Sequence, residues 1–420
     1  MPQIKNIAII GAGSAGLIAA YELKNAGLKF TIFEQRDCVG GIWAIQPLSK
    51  IPDARDNLNG IFSPTYPSLR CNLPKCCMDL PGLPFPKKAR EFPDHTEVLT
   101  HIKQFAQQHK LQPYISFNHQ FQGVELIRNP VHSGKKWRCI TQPENNLLFD
   151  GVILCTSRFG CPVIPGSIKN LDQFMGKLEH SLSYREPSPY KNKRVALLGT
   201  GPSGEDLSRE ISQSANRVFV CAHHGSRTFL LPEKGFYGAR KNISRHGNVV
   251  ACYDKNLILE NGHSLENIDI FILCTGYKPS NKMISAFPKI SSLSYKENNN
   301  NFYLSIFHPE YPELSAMGLQ AAVAPFILYP YQAKAIQQQL QGVLKLPTTT
   351  QMIFAAKYTH LSLMGRNNFS ERIQLGKQYL HQLSVLTRSQ TFPTQSFKAF
   401  DKTKLHRHSY PETYRDQPFG

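Results

Sequence analysis

The chain has 420 residues, 41% apolar and 19% charged, which excludes a disordered polymer and leaves room for two or three domains with separate cores. Its formal net charge is +18, from 48 basic and 30 acidic residues, yet the basic residues are spread rather than blocked and no nucleic-acid motif accompanies them. Anionic dinucleotides account for part of that excess and a solvated surface for the rest, including the locally basic stretch Lys398 to His408. In chain order, the first segment is an apolar strand from Lys5 to Ile10, a glycine turn, a helical rhythm from Leu17 to Ala26 and a second strand from Phe30 to Phe33. Phe92 to Lys110 has helical spacing after a proline. Three strand-like runs follow, Ile115 to Val124, Trp137 to Thr141 and Leu147 to Cys155. The turn residues between them predict an antiparallel meander. The opening grammar then repeats: strand from Arg194, glycine turn, helix to about Ser214, strand Arg217 to Cys221. Asp269 to Cys274 reads as a buried strand and Lys296 to Asn301 as an exposed loop. The weakly polar run Leu314 to Pro330 is interrupted by Gln320 and Pro325 and is shorter than a membrane span, so it reads as core. Gln332 to Val343 and Glu371 to Leu386 read as helices, and the last thirty or so residues as partly irregular.

Each repeated unit is a βαβ element whose turn fits a dinucleotide. In the first, Gly11, Ala12, Gly13, Ser14, Ala15 and Gly16 follow a strand and open a helix. The first glycine permits the tight turn, the second admits a pyrophosphate to the backbone, and the third lets helix and sheet close. Glu34 ends the next strand, 23 residues after Gly11, placed to accept from ribose hydroxyls and to repel a 2′-phosphate. This site therefore suits FAD or NAD. In the second, Gly199, Gly201 and Gly204 have the same spacing, but Cys221-Ala222-His223-His224-Gly225-Ser226-Arg227 carries no acid. Arg227, with His223, His224 and Ser226 beside it, suits a 2′-phosphate, hence NADPH. Ser203, Glu205 and Asp206 on the following helix are assigned to the same dinucleotide.

Phe174, Gly176, His180 and Tyr184 form the pattern F-x-G-x-x-x-H-x-x-x-Y, fifteen residues before Gly199. In this the chain resembles the flavin-containing monooxygenases. The related Baeyer–Villiger enzymes carry Trp at the Tyr184 position, and amino-acid N-hydroxylases lack the fingerprint. Further matches run in family order over about residues 5 to 355: Gly40-Gly41-Ile42-Trp43, Tyr66 to Lys75, Phe92 to Leu99, Cys274 to Tyr277, Gly318 to Gln320 and Leu344 to Pro347. Three departures are Cys155-Thr156-Ser157 for A-T-G, Cys76 for Glu, and Arg185 for Lys or Pro.

The resemblance implies an α/β fold of two Rossmann-like dinucleotide-binding domains with an antiparallel meander. The expected division is an FAD domain over 1–165, an inserted NADPH domain over 166–285, and the second part of the FAD domain with C-terminal helices over 286–420. It implies FAD held by the first turn with Glu34, Gly41, Ile42, Trp43, Cys71, Asn72, Leu73 and Gln320. NADPH would reduce FAD, oxygen would form a C4a-hydroperoxide, and a soft nucleophile, the nitrogen or sulfur of a small molecule, would be oxygenated, as in dimethylaniline monooxygenase. Asn72 is the expected catalytic polar group, and His180 is expected to hold a linker rather than act as a base. The alternatives are an NADPH oxidase or reductase on the same two sites and a cofactor-binding relative without turnover. No metal site is expected: the ten cysteines show no paired C-x-x-C. Reduced thiols and the lack of a signal-peptide pattern after Met1 predict a soluble cytoplasmic enzyme with no transmembrane segment and no nucleic-acid partner.

Overall fold

The computed structural model describes residues 6–56, 58, 63–128, 135–145, 147–156, 159, 161–223, 235–278, 302–319, 324–363, 369–388 and 394–419. The chain divides into two compact units, one of residues 1–44, 73–158 and 279–400, the other of residues 45–72, 159–278 and 401–420.

The first unit is built on a parallel sheet ordered Leu314–Ala316, Gly151–Leu154, Asn6–Ile10, Lys29–Phe33, Ile115–Ser116. The central strands are buried on both faces, which is why Ile7 to Ile10 and Val152 to Leu154 are continuous apolar runs. The helix Ser14–Asn25 packs with Pro325–Leu340, and a capping box closes the start of His95–Gln108: the Asp94 carboxylate accepts from the Thr96 and Glu97 amides, and Glu97 returns to the Asp94 amide. The meander is Gln120–Arg128, Lys135–Gln142 and Leu148–Phe149, all antiparallel. Its Trp137, Cys139 and Phe149 bury with Phe33, Leu154 and Leu314.

The second unit holds a sheet ordered Phe236–Tyr237, Ile243–His246, Arg217–Cys221, Arg194–Leu198, Ile270–Leu273, Lys177–His180, parallel except at its first strand. The helix Pro202–Ser212 packs against it through Leu207 and Ile211. An antiparallel trio, Val249–Tyr253, Asn256–Leu259 and Ser264–Leu265, completes the unit with the pair Cys161–Pro162 and Tyr277–Lys278.

The structure departs from the sequence-based expectations in several places. Leu147 to Cys155 is two strands, not one: Leu148–Phe149 joins the meander, while Gly151–Leu154 joins the parallel sheet. Asp150 makes the break, its carboxylate accepting from the Asn6 amide at 2.9 Å, and a Cβ at Gly151 would stand 2.8 Å from the Glu313 carbonyl oxygen. Ile115–Ser116 likewise pairs with the parallel sheet. The helix expected from Gln332 begins at Pro325 and continues through Pro330. The end of the chain forms the helix Thr394–Ser409 and turns, not irregular structure. The second unit, which holds the second glycine turn, also contains 45–72 and 401–420. Side chains specify both: Asp53 and Arg55 tie 45–72 to Leu178 and Phe174, and Arg407 and Arg415 tie the tail to Glu205 and Asp206. Lys296 to Asn301 lies outside the described residues.

Candidate active site

The first glycine turn is too crowded for side chains. A Cβ on Gly16 would stand 1.9 Å from the Gly11 carbonyl oxygen, and one on Gly11, where φ is +105°, 2.8 Å from that of Cys155. Gly13 meets a second glycine turn, since a Cβ on Gly41 would stand 3.0 Å from the Gly13 Cα. The Ala12 amide donates to Glu34 Oε2 at 2.7 Å, and the Ala12 carbonyl accepts from the Gly40 amide at 3.1 Å. Glu34 is buried, and loss of water raises its carboxyl pKa even though the Ala12 and Arg36 amides pull the other way. Arg36, which sequence reasoning did not single out, donates to the Ala44 and Gly41 carbonyls at 2.8 and 2.7 Å and so holds the turn carrying Gly41, Ile42 and Trp43. Trp43 packs edge-on to Phe326 at 6.4 Å. The helix beginning at Ser14 is capped by Gly13 with no side-chain hydrogen bond, leaving its first-turn dipole for a ligand.

The second turn repeats this construction. A Cβ on Gly204 would stand 1.9 Å from the Gly199 carbonyl oxygen, and one on Gly199, at φ +112°, 2.5 Å from that of Cys274. Gly201 caps the helix without a side-chain bond and has open space where a Cβ would stand. Both turns rest on a cysteine at the end of the neighbouring strand, Cys155 and Cys274, each within the sequence Ile-Leu-Cys-Thr. That repeat was visible in the sequence and marks the third strand of each nucleotide-binding half. Ser203 shares a hydrogen bond with the Tyr277 hydroxyl, which also pairs with Ser181 at 3.1 Å. The Glu205 and Asp206 side chains face the C-terminal segment. Arg407 binds Glu205 at 2.5 Å, and Arg415 holds both Asp206 oxygens at 3.0 and 2.7 Å. Arg407 is thus part of a built contact within a stretch read as a solvated surface. His224, Ser226, Arg227 and Gln320 lie outside the described residues, as does Ser157.

The fingerprint forms the edge of the second sheet. Phe174, His180 and Tyr184 are each 1% exposed. At Gly176 a Cβ would stand 2.6 Å from the Phe174 ring. His180 Nδ1 accepts from the Leu182 amide at 3.1 Å, its ring lies edge-on to Tyr277, and burial pushes its pKa down to about 4. With that pKa the ring is neutral at pH 7. Tyr184 lies between Tyr190 and Tyr66, and the hydroxyl of Ser68 pairs with Glu210, so the Tyr66 to Asn72 loop is seated on the fingerprint and the dinucleotide helix. Arg185, a departure from the family pattern, donates to the carbonyls of Gln46, Leu182, Tyr184 and Ser63 at 3.1, 3.0, 2.7 and 3.4 Å. It clamps 45–72 in place. Asn72 is half-buried. Cys71 is buried beside it, and the neighbouring Leu73 belongs to the first unit.

The flavin-binding monooxygenase-like family model matches residues 4–237 and 230–391. The chain belongs to the flavin-containing monooxygenase family. Within that family it is 31% identical to flavin-containing monooxygenase FMO GS-OX-like 6 of Arabidopsis thaliana, over 86% of this chain and 78% of that one. It is 28% identical to FMO GS-OX-like 4 of the same plant, over 98% and 94%. Among solved structures, S-allyl-L-cysteine S-oxygenase from Allium sativum superposes with a TM-score of 0.85 at 26% identity, covering 98% of this chain and 95% of that chain. Tmm from Pelagibacter sp. strain HTCC7211 shares the fold, with a TM-score of 0.77 at 20% identity and coverage of 98% and 93%. The family's cofactors are FAD and NADP(H), and the residues here fit two dinucleotides. Both helix N-termini are free of side-chain caps, both turns exclude a Cβ at their first and third glycines, and a buried carboxylate stands beside the first. Among the described residues no helix is long and apolar enough to cross a membrane, and all ten cysteines are free thiols.

Proposed function

We propose that the chain is an NADPH- and oxygen-dependent monooxygenase that transfers one oxygen atom to the sulfur of a small-molecule sulfide. The observation that carries the cofactor assignment is the contrast between the two turns. Glu34 is buried against Ala12 at the first, while the strand Arg217–Cys221 runs into Ala222 and His223 with no carboxylate. The first turn then takes FAD, with Gly11 to Gly16, Glu34 and the Gly41 to Trp43 turn around it. The second takes NADPH on Gly199, Gly201, Ser203 and Gly204, with Arg227 on the 2′-phosphate. FAD, when bound, supplies the redox chemistry and the activation of oxygen. The chain positions the dinucleotides, excludes water and offers the Asn72 amide as a donor and acceptor beside the reacting groups. Glu205 and Asp206 act on NADPH indirectly, by seating its helix against the tail.

Sulfur as the target rests on the likeness to the S-allyl-L-cysteine S-oxygenase of Allium sativum, at 26% identity across nearly the whole fold. The test is anaerobic reduction with NADPH or NADH, followed by air and either a thioether or a tertiary amine. NADPH reduction alone, followed by a sulfoxide gaining one oxygen, supports the reading. Equal reduction by NADH removes Arg227 from its role. Oxygenation of the amine alone makes nitrogen the target. Peroxide formed one for one with NADPH, whatever the substrate, makes the protein an oxidase.

A further inference from the structure

The last residues of the chain enclose the loop that carries Asn72. Arg415 Nε donates to the Cys71 carbonyl at 3.1 Å, while its two terminal nitrogens grip Asp206. In return Arg70 Nη2 donates to the Arg415 carbonyl at 2.7 Å, and Arg70 also pairs with Asp416. The two residues before Asn72 are therefore tied to two consecutive residues of the tail, in both directions. The Tyr414 ring covers the assembly, 3% exposed, with the Arg415 guanidinium 4.9 Å from its centroid and that of Arg407 at 5.1 Å. Glu412 accepts from the Gly238 amide at 3.1 Å and seats the segment further.

We propose that the C-terminal segment is a strap that sets the orientation of Asn72, with Arg415 as its positioning residue. The peptide joining Cys71 to Asn72 is planar, so a hydrogen bond that fixes the Cys71 carbonyl also fixes the Asn72 N–H and the position of its Cα, and only rotation about φ and the side-chain bonds is left to aim the Asn72 amide. A guanidinium suits this task, because its planar fork meets a carboxylate with two nitrogens and leaves the third for a carbonyl. Since the same guanidinium holds Asp206, the strap links the Asn72 loop to the helix that follows the second glycine turn. The inference rests on the oxygenase reading for Asn72, but the strap can be tested without it.

The experiment compares the parent with Arg415→Ala, Arg415→Lys and Asp206→Asn as flavin-loaded proteins, with two readouts. The first is alkylation of Cys71 by iodoacetamide, followed by mass spectrometry, with the core cysteines Cys139 and Cys221 as controls for general unfolding. Cys71 is 5% exposed, and release of the strap is expected to speed its labelling about tenfold without changing the controls. The second readout is the share of consumed NADPH that appears as hydrogen peroxide, with the KM for NADPH. We expect the peroxide share to rise at least about threefold in Arg415→Ala, with KM changed less than kcat. Lysine keeps the charge but cannot make all three bonds, so Arg415→Lys should be intermediate in both readouts.

Cys71 labelling unchanged relative to the controls overturns the strap. Faster labelling with an unchanged peroxide share overturns the positioning role and leaves a structural tie. Full rescue by lysine also overturns it, because charge alone would then suffice. A parent that oxygenates neither sulfide nor amine sinks the oxygenase reading, and Cys71 labelling still decides the strap.

Discussion

The Ala12 amide donates to Glu34 Oε2 at 2.7 Å, joining the middle of the first glycine turn to the end of the neighbouring strand. The carboxylate is 5% exposed, and its other oxygen accepts from the Arg36 amide at 3.0 Å. One carboxylate thus ties the turn to the end of the strand through both of its oxygens.

Glu34→Gln keeps an acceptor for Ala12 and loses the charge. A hydrogen bond to a charged group contributes about 1.5–3 kcal/mol, so FAD affinity should fall roughly 10- to 100-fold. Burial raises the Glu34 pKa, so the ionised carboxylate opposes folding above the ordinary glutamate range, and the flavin-free variant should be no less stable at neutral pH. Flavin titration and urea unfolding measure the two effects. A drop in both would contradict this account of Glu34.

Gly16→Ala and Gly204→Ala separate the two sites. In each a methyl group would stand 1.9 Å from a backbone carbonyl oxygen, so the turn must open. Forced overpacking costs about 1–3 kcal/mol or more. Gly16→Ala should purify without flavin. Gly204→Ala should retain its yellow colour but lose anaerobic reduction by NADPH. Flavin absorbance before and after NADPH reads both outcomes.

Arg185→Ala leaves four backbone carbonyls without their guanidinium. Each buried acceptor left unpaired costs about 1–3 kcal/mol, and water will recover part of this, so a net loss of about 2–4 kcal/mol is expected. The segment 45–72 should loosen first. Trypsin should then cut after Lys50 faster than in the parent, at a denaturant concentration well below the midpoint. Unchanged cleavage there would show that Arg185 is not the clamp.

His101 is 1% exposed, packs on Phe85 at 4.5 Å and has neither ring nitrogen hydrogen-bonded to the described residues. Burial lowers its pKa to about 4, as it does that of His180. Below pH 6.5 the unfolded chain takes up these protons while the folded chain does not, so stability falls as pH drops from 6.5 towards 4. Each histidine accounts for about 3 kcal/mol of that loss at most. His101→Leu should flatten the urea-stability profile across this window and be neutral or stabilising at pH 7. A steeper profile in the variant would overturn the assignment.

Much of this molecule was legible from local pattern. The strand Arg217–Cys221 appears with the limits read from the sequence, and both βαβ units are present, because an apolar run, a glycine turn and a helical rhythm are short-range signals. The Leu147 to Cys155 run shows where such reading ends. Its apolar pattern continues through Asp150, but Leu148–Phe149 and Gly151–Leu154 belong to different sheets, and only pairing with distant strands separates them.

By itself, the sequence determined the family, the two dinucleotide turns and the contrast between Glu34 and the acid-free second site. These depend on residue type at fixed spacing along a few dozen residues. Tertiary structure decided what Arg185, Arg407 and Arg415 do. In the sequence they are three of 48 basic residues, and their partners lie up to 345 positions away. A guanidinium acquires a role only from the carbonyls and carboxylates that folding brings around it, and no periodicity along the chain encodes that meeting.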